Sequence, residues 1–362
     1  MEKLKKGDKV AIVSLSSGIL GEKFVSHELE LGIKRLKEFG LVPIFMKNSL
    51  SGLDFISNNP KERFLDLKNA FLDKDIKAII TAIGGVDSFK ILPFIFEDEE
   101  FKDIVKNNPK IFIGYSDTTT SHLALNKLGL STFYGPAFIT DFAEFENDML
   151  PYTKNAVTRL FEGFENFEIL PSEYWYDERK DFSPSAVGTN RIKHAETRGY
   201  EIIKNGDDVT GQLFGGCIEV IASLTGYKSE NDKFFDERND IISKYKVVPT
   251  KSELNGKILF LETSDEKPSP ENYRAMIKHL ISYGLFDEIS GLITGKPMDE
   301  SYYEEYKQIL KEELENYNFP ILSNFNFGHS FPRTILPYNA KAMLSAKNHS
   351  LVILNSCLDG EN

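Results

Sequence analysis

Cysteine is nearly absent from this chain of 362 residues: Cys217 and Cys357 stand far apart, in no ligand-like spacing, which argues against a disulfide framework and a zinc site. A reducing cytoplasm is the expected location. Basic residues are in deficit, 43 Lys and Arg against 55 Asp and Glu, and the net charge of −12 offers no basic stripe for nucleic acid or an anionic membrane. Long apolar runs are missing too. The run at 10–13, after the first lysines, is too short for a signal-peptide core, and no stretch approaches a membrane span. No internal repeat or low-complexity tract is present. What remains, 41% apolar and 27% charged residues, suits a globular protein of two domains whose partner is small.

Short apolar runs alternate with helical patterns from the start. Residues 9–15 read as a buried strand ending in a polar turn with Ser14, Ser16, Ser17 and Gly18, the kind of strand end where ligands bind in parallel sheets. Val25, Leu29, Ile33 and Leu36 recur at helical spacing before Gly40, and 41–46 reads as the second strand. Asn59, Pro60 and Glu62 predict an N-cap, a first-turn proline and a capping box opening a helix with Phe64, Leu67 and Phe71 inward. The strand at 76–83 breaks at Gly84-Gly85, a junction that either exposes N–H groups to an anion or makes a tight turn; it lacks the P-loop lysine and the dinucleotide fingerprint.

The alternation predicts an α/β protein with an N-terminal doubly wound, mostly parallel domain over 1–165 and a smaller C-terminal α/β domain over 206–362. Between them, 166–205 has little periodicity and reads as a linker or lid. It carries the only tryptophan, Trp175, either an aromatic surface over a ligand or an anchor for the segment. In the second domain a glycine pair, Gly215-Gly216, introduces a short helix. Strands are expected at 257–261, 291–294, 320–323 and 350–355, with a helix from Ser269-Pro270 to Gly284 and another near 302–317.

The chemistry centres on 110–120, Lys-Ile-Phe-Ile-Gly-Tyr-Ser-Asp-Thr-Thr-Thr. Ser116 falls where a strand hands over to a helix, which suits a nucleophile lifted out of a sheet and equally suits an N-cap. A serine needs a base, and the base an orienting acid. Of six histidines, His329 stands out in a loop between Gly328 and Ser330 just past an apolar strand, whereas His27, His194, His279 and His349 read as solvated and His122 lies within the helix after Ser116. Glu262 ends the run Ile258-Leu259-Phe260-Leu261, where a carboxylate can be desolvated and aimed; Asp265 and Glu266 lie further into the loop. Ser116, Glu262 and His329 follow the serine-acid-histidine order of other hydrolases.

Together, Gly114-Tyr115-Ser116-Asp117, Gly84-Gly85, Gly215-Gly216, Phe260-Leu261-Glu262 and Gly328-His329 resemble the serine carboxypeptidases that include murein L,D-carboxypeptidases and microcin C self-immunity peptidases, over nearly the whole chain. The resemblance implies Ser116 as nucleophile in the first domain and Glu262 and His329 as acid and base in the second, with the active site between them. It implies an oxyanion hole from the N–H groups of Gly85 and Asp117, a homodimer, and no metal or cofactor. The chain also departs from the murein pattern. Ile83 replaces an arginine before the glycine pair, Val86-Asp87-Ser88 follows it, and Cys217-Ile218-Glu219 stands where many members have Asn-Leu. Glu219 either meets a cationic substrate group or faces solvent; Cys217 lines the site or packs in the core. Arg333 grips a substrate carboxylate or makes a surface ion pair, and the segment around Trp175 is similar to the immunity-type lid that stacks a nucleobase. The expected reaction is hydrolysis of an unusual C-terminal amide, as in a murein tetrapeptide. The alternatives are a peptidyl or aminoacyl nucleotide as substrate, or a silent two-domain protein that binds a small molecule.

Overall fold

The apolar runs of the N-terminal half become five strands, β1 (Lys9–Val13), β2 (Val42–Phe45), β3 (Ile76–Thr81), β4 (Ile111–Gly114) and β5 (Phe133–Tyr134). All pair in parallel, in the order β5-β4-β3-β1-β2. The computed structural model describes residues 1–230, 232–356 and 358, so Cys357 lies outside the described residues. These form two units, one of 1–163, 179–191 and Leu358, the other of 164–178 and 192–356. In the first, the strand order reverses at β1 and β3, and a doubly wound sheet opens a crevice outside the carboxyl ends of its strands at that point. The polar turn after β1, the Gly84-Gly85 loop after β3 and Ser116 after β4 all lie at carboxyl ends. β1 and β4 are buried almost throughout, which explains their continuous rather than alternating apolar patterns.

The helix predicted to open at Asn59-Pro60 runs Pro60–Leu72, with proline in its first turn, but the expected capping box does not form. Asn59 instead closes the preceding helix Leu53–Asn58, its Nδ2 donating to the Phe55 carbonyl at 2.8 Å, while Glu62 accepts from Asn48 Nδ2 at 3.3 Å. The Asn59 amide is held by the earlier helix, and its oxygen makes no cap bond to the later one.

The second unit carries β6 (Phe167–Ile169), β7 (Tyr174–Tyr176), β8 (Lys193–Ala195), β9 (Glu201–Lys204), β10 (Val209–Cys217), β11 (Ile258–Glu262), β12 (Gly291–Gly295), β13 (Ile321–Phe325), β14 (Leu336–Pro337), β15 (Lys341–Ser345) and β16 (Ser350–Ile353). Eight of them form a sheet in the order β6-β16-β15-β10-β11-β12-β13-β9, parallel from β10 to β13 and antiparallel on both flanks. The segment 166–205, expected as a linker or lid, supplies both edge strands of this sheet, β6 and β9, and the hairpin β7-β8. With these strands the second unit, expected to be the smaller, has a sheet longer than that of the first. Edge strands of three and four residues are too short to show alternation. The helix Pro270–Tyr283 forms as its signals require: Ser269 Oγ accepts from Asn272 N at 3.3 Å, and Gly284 ends it in the left-handed region at φ +85°. Among the described residues no helix is long and apolar enough to cross a membrane.

Candidate active site

Ser116 sits between β4 and the helix Thr119–Lys127 with φ +64°, a left-handed conformation that a non-glycine residue adopts only where its surroundings impose it. Three sets of bonds impose it. The Ser116 N–H donates to the Tyr134 hydroxyl at 3.1 Å. The Asp117 carboxylate accepts from Ser16 Oγ at 2.6 Å and from the Ser88 N–H at 2.9 Å, and Ser88 Oγ donates to the Asp117 carbonyl at 2.8 Å. Burial raises the Asp117 pKa against the pull of these serine hydrogen bonds. Behind the turn, His122 bridges the Gly114 carbonyl (2.9 Å) and Thr132 Oγ1 (2.8 Å). Burial lowers its pKa to about 3, so it is a neutral imidazole with the proton on the nitrogen facing the carbonyl. His122 therefore supports the turn and is not available as a base.

The Gly84-Gly85 loop lies against the serine. A Cβ on Gly84 would come 2.7 Å from Ser116 Cβ and 3.3 Å from the Asp117 nitrogen, so only glycine admits this approach. Gly85 has φ +149° and packs on Ser16, and the Ser17 N–H donates to the Gly84 carbonyl at 3.2 Å. Beside the loop, the buried Asp87 takes two hydrogen bonds from Arg63, at 2.7 and 3.2 Å.

In the second unit Glu262 ends β11 and is buried, as is His329. Glu262 Oε2 accepts from His329 Nδ1 at 2.8 Å and from the His329 backbone N–H at 3.0 Å. One carboxylate oxygen thus fixes both the ring and the chain that carries it, and the bond to Nδ1 leaves Nε2 as the proton acceptor. Asp265 Oδ1 stands 3.7 Å from His329 Nε2. Burial alone would lower the His329 pKa, but the charge and hydrogen bond of Glu262, helped by Asp265, hold it above its ordinary value of 6.5. Gly328 makes the approach possible: at φ +81°, its absent Cβ would fall 2.3 Å from Glu262 Cδ. Gly328→Ala is therefore expected to lower stability by about 2–4 kcal/mol and to break the Glu262–His329 contact. A thermal melt together with the imidazole NMR signal of His329 checks both effects.

Arg333 is wholly buried, stacked over Phe331 at 4.3 Å, with Nη2 donating to the His329 carbonyl at 3.1 Å, so it is no surface ion pair. The Glu219 carboxylate accepts from the Ser264 N–H and Oγ, both at 2.9 Å, and from the Cys217 thiol at 3.1 Å, so the half-buried side chain is tied to these groups. It braces the loop that follows Glu262. Trp175 lies on the β7-β8 hairpin with the His194 ring stacked on it at 4.0 Å and Lys296 5.2 Å from its centroid; Lys296 also pairs with Glu196 at 3.0 Å and Glu300 at 2.6 Å. Tyr134, Ser16 and Ser88, which hold the serine turn, were not selected from sequence. The strand-end serines were visible there as a polar turn, but nothing in the sequence linked them to Asp117.

Two family models match the chain, described as the LD-carboxypeptidase N-terminal domain, over residues 10–135, and the LD-carboxypeptidase C-terminal domain, over residues 210–344. A solved MccF-like protein from Streptococcus pneumoniae, in complex with AMP, superposes with a TM-score of 0.89 at 43% identity, covering 96% of this chain and 98% of that one. A probable murein peptide carboxypeptidase of Bacillus subtilis is 26% identical over 97% of this chain and 92% of its own length. The microcin C7 self-immunity protein MccF of Escherichia coli is 29% identical over 84% of this chain and 81% of its own. A solved structure of the microcin C7 self-immunity protein MccF in complex with aspartyl sulfamoyl adenosine matches at TM-score 0.79 and 25% identity, over 98% of this chain and 99% of that one.

Proposed function

Because the chain belongs to the LD-carboxypeptidase family, a family of serine peptidases, we propose that it is a serine carboxypeptidase acting through Ser116, His329 and Glu262. Ser116 Oγ attacks the carbonyl of an unusual C-terminal amide. His329 Nε2 takes the hydroxyl proton and returns it to the leaving amine, and Glu262 stabilises the imidazolium. The N–H groups of Gly85 and Asp117 receive the oxyanion, and water then hydrolyses the acyl-enzyme by the same proton path. The observation that carries this reading is the buried Glu262–His329 pair, in which one carboxylate oxygen orients the ring through Nδ1 at 2.8 Å. The strained Ser116 turn supports it independently.

Two substrate classes suit this chemistry: a murein tetrapeptide losing its terminal D-alanine, and a peptidyl or aminoacyl nucleotide. AMP bound to the 43% identical pneumococcal relative favours the nucleotide class, and the aromatic hairpin at Trp175 offers a ring for a nucleobase. In this reading Trp175 contacts substrate, whereas Glu219 and Arg333 support the loops around Glu262 and His329. The protein acts in the cytoplasm as a homodimer. Incubation with a murein tetrapeptide and with an aminoacyl sulfamoyl adenosine, followed by mass spectrometry, tests the proposal. Cleavage of the second with little of the first is expected, cleavage of the first alone reverses the substrate order, and binding without turnover of either makes the chain a silent binding protein. Sedimentation of the same preparation tests the dimer.

A further inference from the structure

Beyond the peptidase reaction, we infer that Cys217, Glu262 and His329 form a binding site for a thiophilic divalent cation of the zinc class, and that its occupancy silences the base. Cys217 ends β10 and Glu262 ends β11, and the two are direct partners in the parallel register of these strands. One ligand atom from each of Cys217, Glu262 and His329 lies within 4.8 Å of the others, and all three residues are buried. In a tetrahedral zinc site with bonds of about 2.0–2.3 Å, ligand atoms stand about 3.3–3.8 Å apart, so a movement of roughly an ångström closes the set. Sulfur, imidazole and carboxylate are the donors that zinc takes, and thiolate selects it over magnesium or calcium.

The charge of the cluster points the same way. A second carboxylate, the half-buried Glu219, accepts from the Cys217 thiol at 3.1 Å, so two acids and a thiol stand together with one imidazole. The excess of acidic groups that opposes a thiolate in the empty cluster becomes favourable around a dication. Asp265, exposed in the loop beyond, places an outward carboxylate 3.7 Å from His329 Nε2, where a hydrated cation can be received.

Binding converts the Cys217 thiol to a thiolate and releases that proton to solvent. The coordinating imidazole nitrogen must be unprotonated: a metal on Nδ1 sends the proton donated to Glu262 to Nε2, a metal on Nε2 leaves it in place, and an imidazolium loses one proton to solvent in either case. Affinity therefore rises with pH. A metal on His329 removes the acceptor for the Ser116 proton. That consequence rests on the proposed function, whereas binding itself does not.

Titration of the purified protein with Co²⁺ is expected to give a thiolate-to-cobalt charge-transfer absorption that saturates at one equivalent and is bleached by Zn²⁺. Cys217→Ser and Cys217→Ala should abolish the band, and Cys357→Ser should keep it. In the hydrolysis assay, Zn²⁺ should inhibit the wild type reversibly on chelation. The Cys217 variants should keep basal turnover and need at least about tenfold more zinc, since loss of even an outer-shell partner commonly weakens a metal site that much. No cobalt band, a band unchanged in both Cys217 variants, or equal zinc sensitivity in variant and wild type would overturn the inference. Failure to hydrolyse any substrate would overturn the peptidase reading and leave the cobalt titration as the test of the metal site.

Discussion

Ser116→Ala is expected to abolish hydrolysis, lowering kcat/KM by about 10³–10⁶, because the members of a serine triad act as one unit. The fold should not notice. The bonds that hold the turn run through the Ser116 backbone N–H to Tyr134, through Asp117 to Ser16 and Ser88, and through His122 to the Gly114 carbonyl. Alanine and serine meet the same strain at φ +64°, so the melting temperature should stay within a degree or two of wild type. Labelling by a serine-directed phosphonate should disappear with activity. Hydrolysis above about one-tenth of the wild-type rate in Ser116→Ala, with the labelled serine found elsewhere, would remove Ser116 from the reaction. If activity falls together with the melting temperature, Ser116→Gly, which is at ease in the left-handed region, restores the fold without restoring a nucleophile.

The strands that position Ser116 and Glu262 were legible because both are buried on two faces, which turns their sequence into continuous apolar runs ending at the reactive side chain. Gly84 and Gly328 were legible as glycines, yet their reason, a backbone pressed against Ser116 in one case and against Glu262 in the other, is a tertiary fact. Asp117 shows the same limit. Its place after the serine marks a backbone N–H for an oxyanion, but its carboxylate fastens segments 29 and 101 residues away in the chain. The sequence leaves Glu219 and Arg333 each between a substrate contact and an outward surface role, the second because charged residues are usually solvated. Arg333 is wholly buried and Glu219 half-buried, and each meets a polar group of a loop beside the acid-base pair. β6 and β9 escaped because a strand of three or four residues at a sheet edge takes its conformation from its neighbour's hydrogen bonds rather than from its own pattern.

Glu262→Gln separates charge from geometry at the base. The amide oxygen of glutamine can accept from both the His329 backbone N–H and Nδ1, as Glu262 Oε2 does at 3.0 and 2.8 Å, so the loop should hold and the melting temperature should change little. What disappears is the negative charge. Hydrolysis is expected to fall by about 10³–10⁴, because the imidazolium formed as Ser116 attacks loses its counter-charge and the ring loses its enforced tautomer. The pH profile supplies the second readout. In the wild type the Glu262 charge holds the His329 pKa above 6.5, and hydrolysis needs the neutral ring, so the acidic limb of kcat/KM should lie above that value. Burial, the opposing influence, then meets only the lesser charge of Asp265, and the limb should move to lower pH. A rate loss with an unmoved limb would show that Glu262 acts by shape alone. A limb that moves without a rate loss of at least about a hundredfold would show that its charge tunes His329 without stabilising the transition state.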